Sequence, residues 1–201
     1  MAKVSAGTKE ATRARLLAAA AAEFGKAGLE RASVDAISLA AGFAKGTIYN
    51  YFASKEELFL AVVDDASRQA AGVGAVPRDA PARERLEAVV GGFCTWAGGH
   101  DAFARVLVRE CLMGTPGLYS RVIGAEAPLV GDLEAIVRQG MESGELRTDI
   151  RADVLALSIA GLMDLALVQH WASDGVRPTL EEIPSLVVSL PLGPTPGFGS
   201  P

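Results

Sequence analysis

Apolar positions along the chain recur at helical spacing and nowhere sustain a strand-like alternation. Leu16, Ala20 and Phe24 fall at i, i+4 and i+8, with Leu17 and Ala21 beside them. This predicts a helix over about Lys9–Lys26 with one apolar face, stopped by Gly28. Ser33 suits an N-cap, and Asp35 lies in the following turn, where a negative charge favours the helix dipole. Val34, Ile37 and Ala41 therefore predict a second, short helix, ended by Gly42. Ile48, Tyr51 and Phe52 give a third an inner face over about Lys45–Tyr51. Ser54 and Glu57 make a capping box that opens a fourth helix, running to about Ala71, with Leu58, Phe59, Val62 and Val63 on its apolar side.

Residues 72–81, "GVGAVPRDAP", break the pattern with glycine and proline and predict a domain boundary. Beyond them the periodicity predicts helices at about 82–97, 101–113, 117–143, 151–173 and 180–190. Gly124, Pro128 and Gly131 interrupt the third of these. In the last, Thr179 and Glu182 make a second capping box, so Pro184 must kink that helix or delay its start. The sequence thus predicts an all-α chain with three parts: 1–71, 82–190 and a Pro/Gly-rich tail, 191–201, expected to be mobile. There is no internal repeat.

Charge sharpens this division. The net charge of −5 argues against a polyanionic partner for the molecule as a whole. Residues 1–64, however, carry eight lysines and arginines against seven acids, whereas residues 65–201 carry eleven against seventeen. All five lysines (Lys3, Lys9, Lys26, Lys45 and Lys55) lie in the first part, and Ala36–Lys55 contains no acid. An acidic body with a lysine-bearing head fits contact with phosphates at one end only. With 201 residues, 50% of them hydrophobic, and a mean hydropathy of +0.27, the chain can bury a core and is not of the disordered class. The most apolar stretch, Val154–Val168, includes Asp164 and is about 15 residues long, which predicts no membrane span. No signal segment is evident, so a cytoplasmic protein is expected. Cys94 and Cys111 form no CxxC and have only His100 and His170 for company, so neither a disulfide framework nor a metal site is expected. "GVGAV" lacks the full dinucleotide fingerprint and follows a predicted helix, so no cofactor is expected.

Two short helices, a glycine turn and a supporting helix form a helix-turn-helix pattern, whose second helix enters the major groove of DNA. With Ile48 and Phe52 inward, Lys45, Thr47, Tyr49 and Asn50 face out. Lysine meets phosphate or guanine, asparagine pairs with adenine, the threonine methyl meets thymine, and a tyrosine hydroxyl donates to phosphate. Gly46 leaves room for close backbone approach. Lys55, with free N–H groups in the first turn of its helix, makes a candidate phosphate clamp, as does Ser33.

Over about 50 residues, Thr12–Val63, the chain resembles the N-terminal domain of the TetR family of bacterial transcriptional regulators. The resemblance rests on the apolar face ending in Phe24, the glycine at 28, "SVDAI", "AGFAKGTIYNYF" and "SKEEL". It implies a homodimeric, all-helical, repressor-type regulator of a double-stranded DNA operator, with a small-molecule effector of unspecified identity. It assigns phosphate contact to Tyr49 and Lys55 and base-facing positions to Lys45, Thr47 and Asn50, with Ser33 and Ala44 nearby. Phe43, Ala44 and Asn50 depart from the small aliphatic, serine-like and histidine residues frequent in the family. These departures bear on the operator sequence rather than on the mode of binding.

The C-terminal body carries no motif. Its candidate effector-site residues are Phe93, Trp96, Phe103, Leu107, Glu110 and Met113, together with Met163, Leu167, His170 and Trp171, with Cys94 and Asp164 as further polar anchors. "VLALSIAGLMDLALV" is apolar nearly all round, so one side needs a partner. By the resemblance, the dimer forms through helices at about 151–173 and 180–190, and the helix Ser54–Ala71 couples effector to DNA. Two alternatives stay open: a family member that senses no small molecule, and a small helical enzyme, for which no nucleophile or metal-ligand pattern is visible.

Overall fold

A computed structural model of the protein describes residues 6–71, 76–113, 116–125 and 127–192. Among these there are helices and turns but no strand. The helices are α1 (Ala6–Arg31), α2 (Val34–Ala40), α3 (Lys55–Ala71), α4 (Ala82–Gly99), α5 (Asp101–Met113), α6 (Pro116–Ala125), α7 (Ala127–Glu142), α8 (Ala152–Ala172) and α9 (Ile183–Leu192), with a 3-10 helix at Thr47–Asn50. The tail expected to be mobile lies, from residue 193 onward, outside the described residues. The chain divides into two compact units: Met1–Asp65 with His100–Ala125, and Ala66–Gly99 with Glu126–Pro201. Compactness thus cuts the chain differently from the linker at 72–81. Helices α5 and α6 lie beyond that linker, yet they belong to the first unit.

In the first unit, the stripe expected on α1 is the buried one: Leu16, Leu17, Ala20 and Phe24 are all covered. Phe24 meets the edge of Phe59 at 5.2 Å, and Phe59 meets Phe103 at 5.8 Å, so one aromatic stack ties α1, α3 and α5. Offset and edge-on rings of this kind add about 0.5–1.5 kcal/mol per pair beyond the area they bury. The crossing of α1 and α5 depends on Gly25. A Cβ there would lie 2.9 Å from both the Ala102 Cβ and the Phe103 backbone nitrogen. Helical hydrogen bonding continues past the expected end of α1 to Arg31, but across a kink at Gly28, whose φ of +73° takes it out of the helix.

The second unit is built from α4, α7, α8 and α9. Helix α4 packs on α7 and α9, and α8 packs on the same two. Leu86, Val90 and Phe93 of α4, Leu129, Leu133 and Val137 of α7, Leu155, Ile159 and Leu167 of α8, and Ile183, Val187 and Val188 of α9 are buried. Gly140 brings α7 close, since a Cβ there would lie 2.7 Å from Ala82 and Leu146. The Ala82 N–H, an orphan donor at the start of α4, donates to Glu145 Oε2 at 2.7 Å. That bond, with a second from Ser143, holds the Glu145 carboxyl below the usual carboxylate range.

Three expected helices differ in detail. The stretch 117–143 is two helices, α6 and α7, which agrees with its cluster of interrupting residues. The last helix begins at Ile183. The Thr179 and Glu182 capping bonds form at 2.9 and 3.3 Å, and Pro184 then falls in the first helical turn, where its missing N–H costs nothing. Helix α8 has 21 residues and is long and apolar enough to cross a membrane by length and composition, unlike the shorter stretch read from the sequence. Its Leu155, Ala156, Ile159, Met163 and Leu167 are nevertheless buried within the second unit, as is Asp164.

Candidate nucleic-acid interface

The expected third helix is instead a single 3-10 turn, Thr47–Asn50, preceded by Gly46 at φ +82°. That backbone conformation cannot sit inside an α-helix, so the helical turn starts only after it. Its bonds are i→i+3: the Thr47 N–H donates to Ala44 O, Tyr49 to Gly46 O and Tyr51 to Ile48 O. A Cβ at Gly46 would meet nothing within 4 Å. The glycine is therefore needed here for its φ, not for space. Gly42, at φ +79°, makes the turn that ends α2.

Ile48 and Phe52 anchor the segment, 1% and 5% exposed respectively. Because Ile48 points inward, its neighbours point out. Tyr49 is 58% exposed, and Asn50, Lys45 and Ala44 are exposed, whereas Gly46, Thr47 and Tyr51 are half-buried. An aromatic side chain left so far in water, beside the buried Ile48, is presented rather than packed. Lys45 Nζ lies 3.6 Å from Asp35 Oδ2, with both side chains more than half exposed. A surface pair of this kind is worth under about 1 kcal/mol, so it holds Lys45 only weakly.

The clamp expected around Lys55 and Ser33 is more occupied than its sequence suggests. Lys55 Nζ donates to the Glu30 carbonyl at 2.6 Å, closing the end of α1. The Glu57 N–H donates to Ser54 Oγ at 3.1 Å, and the Ala53 N–H to the Glu57 carboxylate at 2.7 Å. The capping box that starts α3 thus occupies the Glu57 N–H, one of the first-turn groups expected to be free. Ser33 accepts from the Ala36 N–H at 3.3 Å as the N-cap of α2, and its own N–H donates to Glu23.

Two residues of this region were not singled out in the sequence. The Arg15 guanidinium carbon lies 4.7 Å over the Phe43 ring, and that of Arg13 lies 5.7 Å over Phe52. Each pair spans more than 25 positions of sequence, so no local pattern could have signalled it. A pocket of about 490 Å³ also opens in this unit, lined by alanines of α1, by Ala40 and Ala41 at the end of α2, and by Arg15, Glu23 and Lys26. None of the expected effector-site residues lines it.

Those expected residues divide between the units. Phe103 and Leu107 are buried in the first, with Phe103 in the aromatic stack. Glu110, also on α5, pairs with Arg109 at 2.8 Å. Phe93, Trp96, Met163 and Leu167 are buried in the second, where Phe93 and Trp96 pack at 5.4 Å. His170 and Trp171 are half-buried at the end of α8, and His170 Nδ1 lies 2.8 Å from the Pro178 carbonyl, so it holds the loop that follows. The Met113 side chain lies outside the described residues. Burial pushes the Cys94 thiol up to about 12, which leaves it an inert core group, and Cys111 is likewise buried.

A short turn anchored from inside, carrying exposed Tyr49 and Asn50 with Lys45 exposed just before it, behind a glycine-ended helix, defines a helix-turn-helix DNA-binding protein. The family described as "Bacterial regulatory proteins, tetR family" matches residues 16–62, and the "Tetracyclin repressor-like, C-terminal domain" matches residues 79–192. The chain belongs to the TetR family of bacterial transcriptional regulators. It is similar to the HTH-type transcriptional repressor AcnR of Corynebacterium diphtheriae, 28% identical over 82% of this chain and 83% of that one. It is also similar to the HTH-type transcriptional repressor SCO4008 of Streptomyces coelicolor, 29% identical over 82% and 83%. In fold it matches the transcriptional regulator FadR of Bacillus subtilis in complex with stearoyl-CoA, with a TM-score of 0.74 at 22% identity, covering 89% of this chain and 97% of that one.

Proposed function

We propose that the protein is a cytoplasmic, ligand-responsive repressor that binds a pseudo-palindromic operator as a homodimer. The observation that carries the DNA-binding part is the outward Tyr49–Asn50 pair between buried Ile48 and Phe52. In this reading Tyr49 and Lys55 contact phosphates, Lys55 leaving the Glu30 carbonyl to do so, while Lys45, Thr47 and Asn50 face bases, with Ser33, Ala44 and Gly46 at the margin. Residues 1–71 serve DNA and residues 82–190 serve dimerisation and effector binding. The gap between the two family matches supports this functional division at the 72–81 linker.

The homodimer rests on one face of α8. Val154, Leu157 and Leu165 are each 47% exposed and Val168 is 39% exposed. With Gly161, also exposed, they fall within a sector of roughly 80° on the helix. Leu186 of α9 is 44% exposed. An apolar stripe this long on a helix whose other side is buried supports pairing with a second copy. Two recognition segments then lie one helical turn apart on the duplex. An effector acts by its differential affinity for the DNA-competent arrangement and another, with α3 as the lever, since its residues are shared between both compact units. The stearoyl-CoA held by a fold relative supports a ligand-responsive reading.

Selection of duplexes from a random pool tests the reading. Sites with two inverted half-sites about one helical turn apart are expected, and Leu165→Glu is expected to give a monomer in sedimentation and to lose them. Selected sites without symmetry, or dimeric protein in that variant, would contradict the dimer.

A further inference from the structure

We infer that Arg15, with Arg13 in support, is a positioning residue for DNA reading: from α1 the two guanidinium groups pin the aromatic residues on either side of the recognition segment. The inference rests on the DNA-reading role of Thr47–Asn50. That segment is one 3-10 turn, entered through two glycines at positive φ, Gly42 and Gly46. So short a helix has too few internal bonds to fix its own orientation. Its inner side is fixed by Ile48 and Phe52. Phe43, which opens the turn, is only half-buried and needs something to hold it.

Arg15 supplies that hold. Its guanidinium carbon stands 4.7 Å above the Phe43 ring, within the range of a cation–aromatic contact. It also lies across Gly42: a Cβ on that glycine would sit 2.6 Å from Arg15 Nη2. The missing side chain of Gly42 is therefore the space in which the Arg15 group rests. Arg13 repeats the contact at the far end, 5.7 Å above Phe52. One pin precedes the reading segment and one follows it, and both come from the same helix. A lysine in place of Arg15 keeps the charge but loses the flat group that covers both ring and glycine.

A pin and a plain phosphate contact leave different traces. Removing a pin loosens the turn without DNA and lowers the preference for the right sequence, whereas removing a phosphate contact weakens binding to all DNA and reduces its salt dependence. The test uses the full chain with Arg15→Gln, Arg15→Lys, Phe43→Leu and the Arg15→Gln/Phe43→Leu double variant. Hydrogen exchange at Gly42–Gly46 in the free protein is expected to quicken about two- to five-fold in Arg15→Gln. The preference for a selected site over unrelated duplex is expected to fall by a similar factor, with an unchanged salt slope. Arg15→Lys is expected to restore neither effect in full, and Arg15→Gln is expected to add nothing once Phe43 is leucine. Unaltered exchange and preference would overturn the inference. So would equal weakening on both duplexes with a salt slope lower by about one and full rescue by lysine. Wild-type protein with no preference among duplexes would sink the DNA-reading role itself, and the exchange rates would still decide whether Arg15 pins the turn.

Discussion

The proposed reading surface of the first unit and the apolar body of the second are built under different constraints. In the first, each position near the recognition segment has a separate job. Gly46 supplies a φ of +82°, Ile48 and Phe52 anchor, and Tyr49 stands in water between them. Few residue types meet each demand, so the stretch carries a readable motif. In the second, Leu133, Ile159 and Val187 need only be apolar and of suitable volume, a demand that many sequences meet. The lesson is that a surface meant to touch a fixed partner such as a duplex constrains identity, whereas a core constrains mainly pattern.

The contrast can be broken first at its foundation. Phe59 joins Phe24 and Phe103, so Phe59→Ala is expected to cost about 3–5 kcal/mol in chemical denaturation. A loss under 1 kcal/mol would mean that the stack does not organise the first unit. Next comes Gly25→Ala, where the new methyl meets the Phe103 backbone nitrogen at 2.9 Å. Backbone cannot swing aside, so a cost of about 1–3 kcal/mol is expected in the same assay. Gly46→Ala meets open space and is charged only for its positive φ, about 1–2 kcal/mol. Comparing the two glycines separates strain of packing from strain of backbone.

The smallest effect concerns acid. Glu145 is depressed by its bonds to the Ala82 N–H and Ser143. A carboxylate lowered in the folded state gives stability that is fully present above its ordinary pKa and is lost as pH falls through the folded value. Glu145→Gln is therefore expected to flatten the fall in stability below the usual glutamate range, measured by melting across pH. Equal slopes for the two proteins would remove this bond from the account.

Much of the architecture was legible because local signals carried it. Leu16, Ala20 and Phe24 marked the buried face of α1, and Ser54 with Glu57 marked the start of α3. The exposure of Lys45, Tyr49 and Asn50 was legible, since Ile48 takes the inner position, whereas Thr47, also expected to face out, is half-buried. Long-range pairings were not legible. The grouping of α5 with α1 depends on Gly25 meeting Ala102, a contact with no trace in either segment alone. Likewise, the bond from Lys55 to the Glu30 carbonyl, 25 residues away, left no local signal beside its expected place in a phosphate clamp. The shortness of the recognition turn followed from the φ of Gly46, which a residue name permits but does not dictate.

The most direct test of the DNA-reading claim is a binding titration of wild type, Tyr49→Ala and Asn50→Ala on a selected operator and on an unrelated duplex, at several salt concentrations. Tyr49→Ala is expected to weaken both duplexes alike, and Asn50→Ala to weaken the operator by about 1–3 kcal/mol while sparing the unrelated duplex. Wild-type affinity for the operator in both variants would contradict the account.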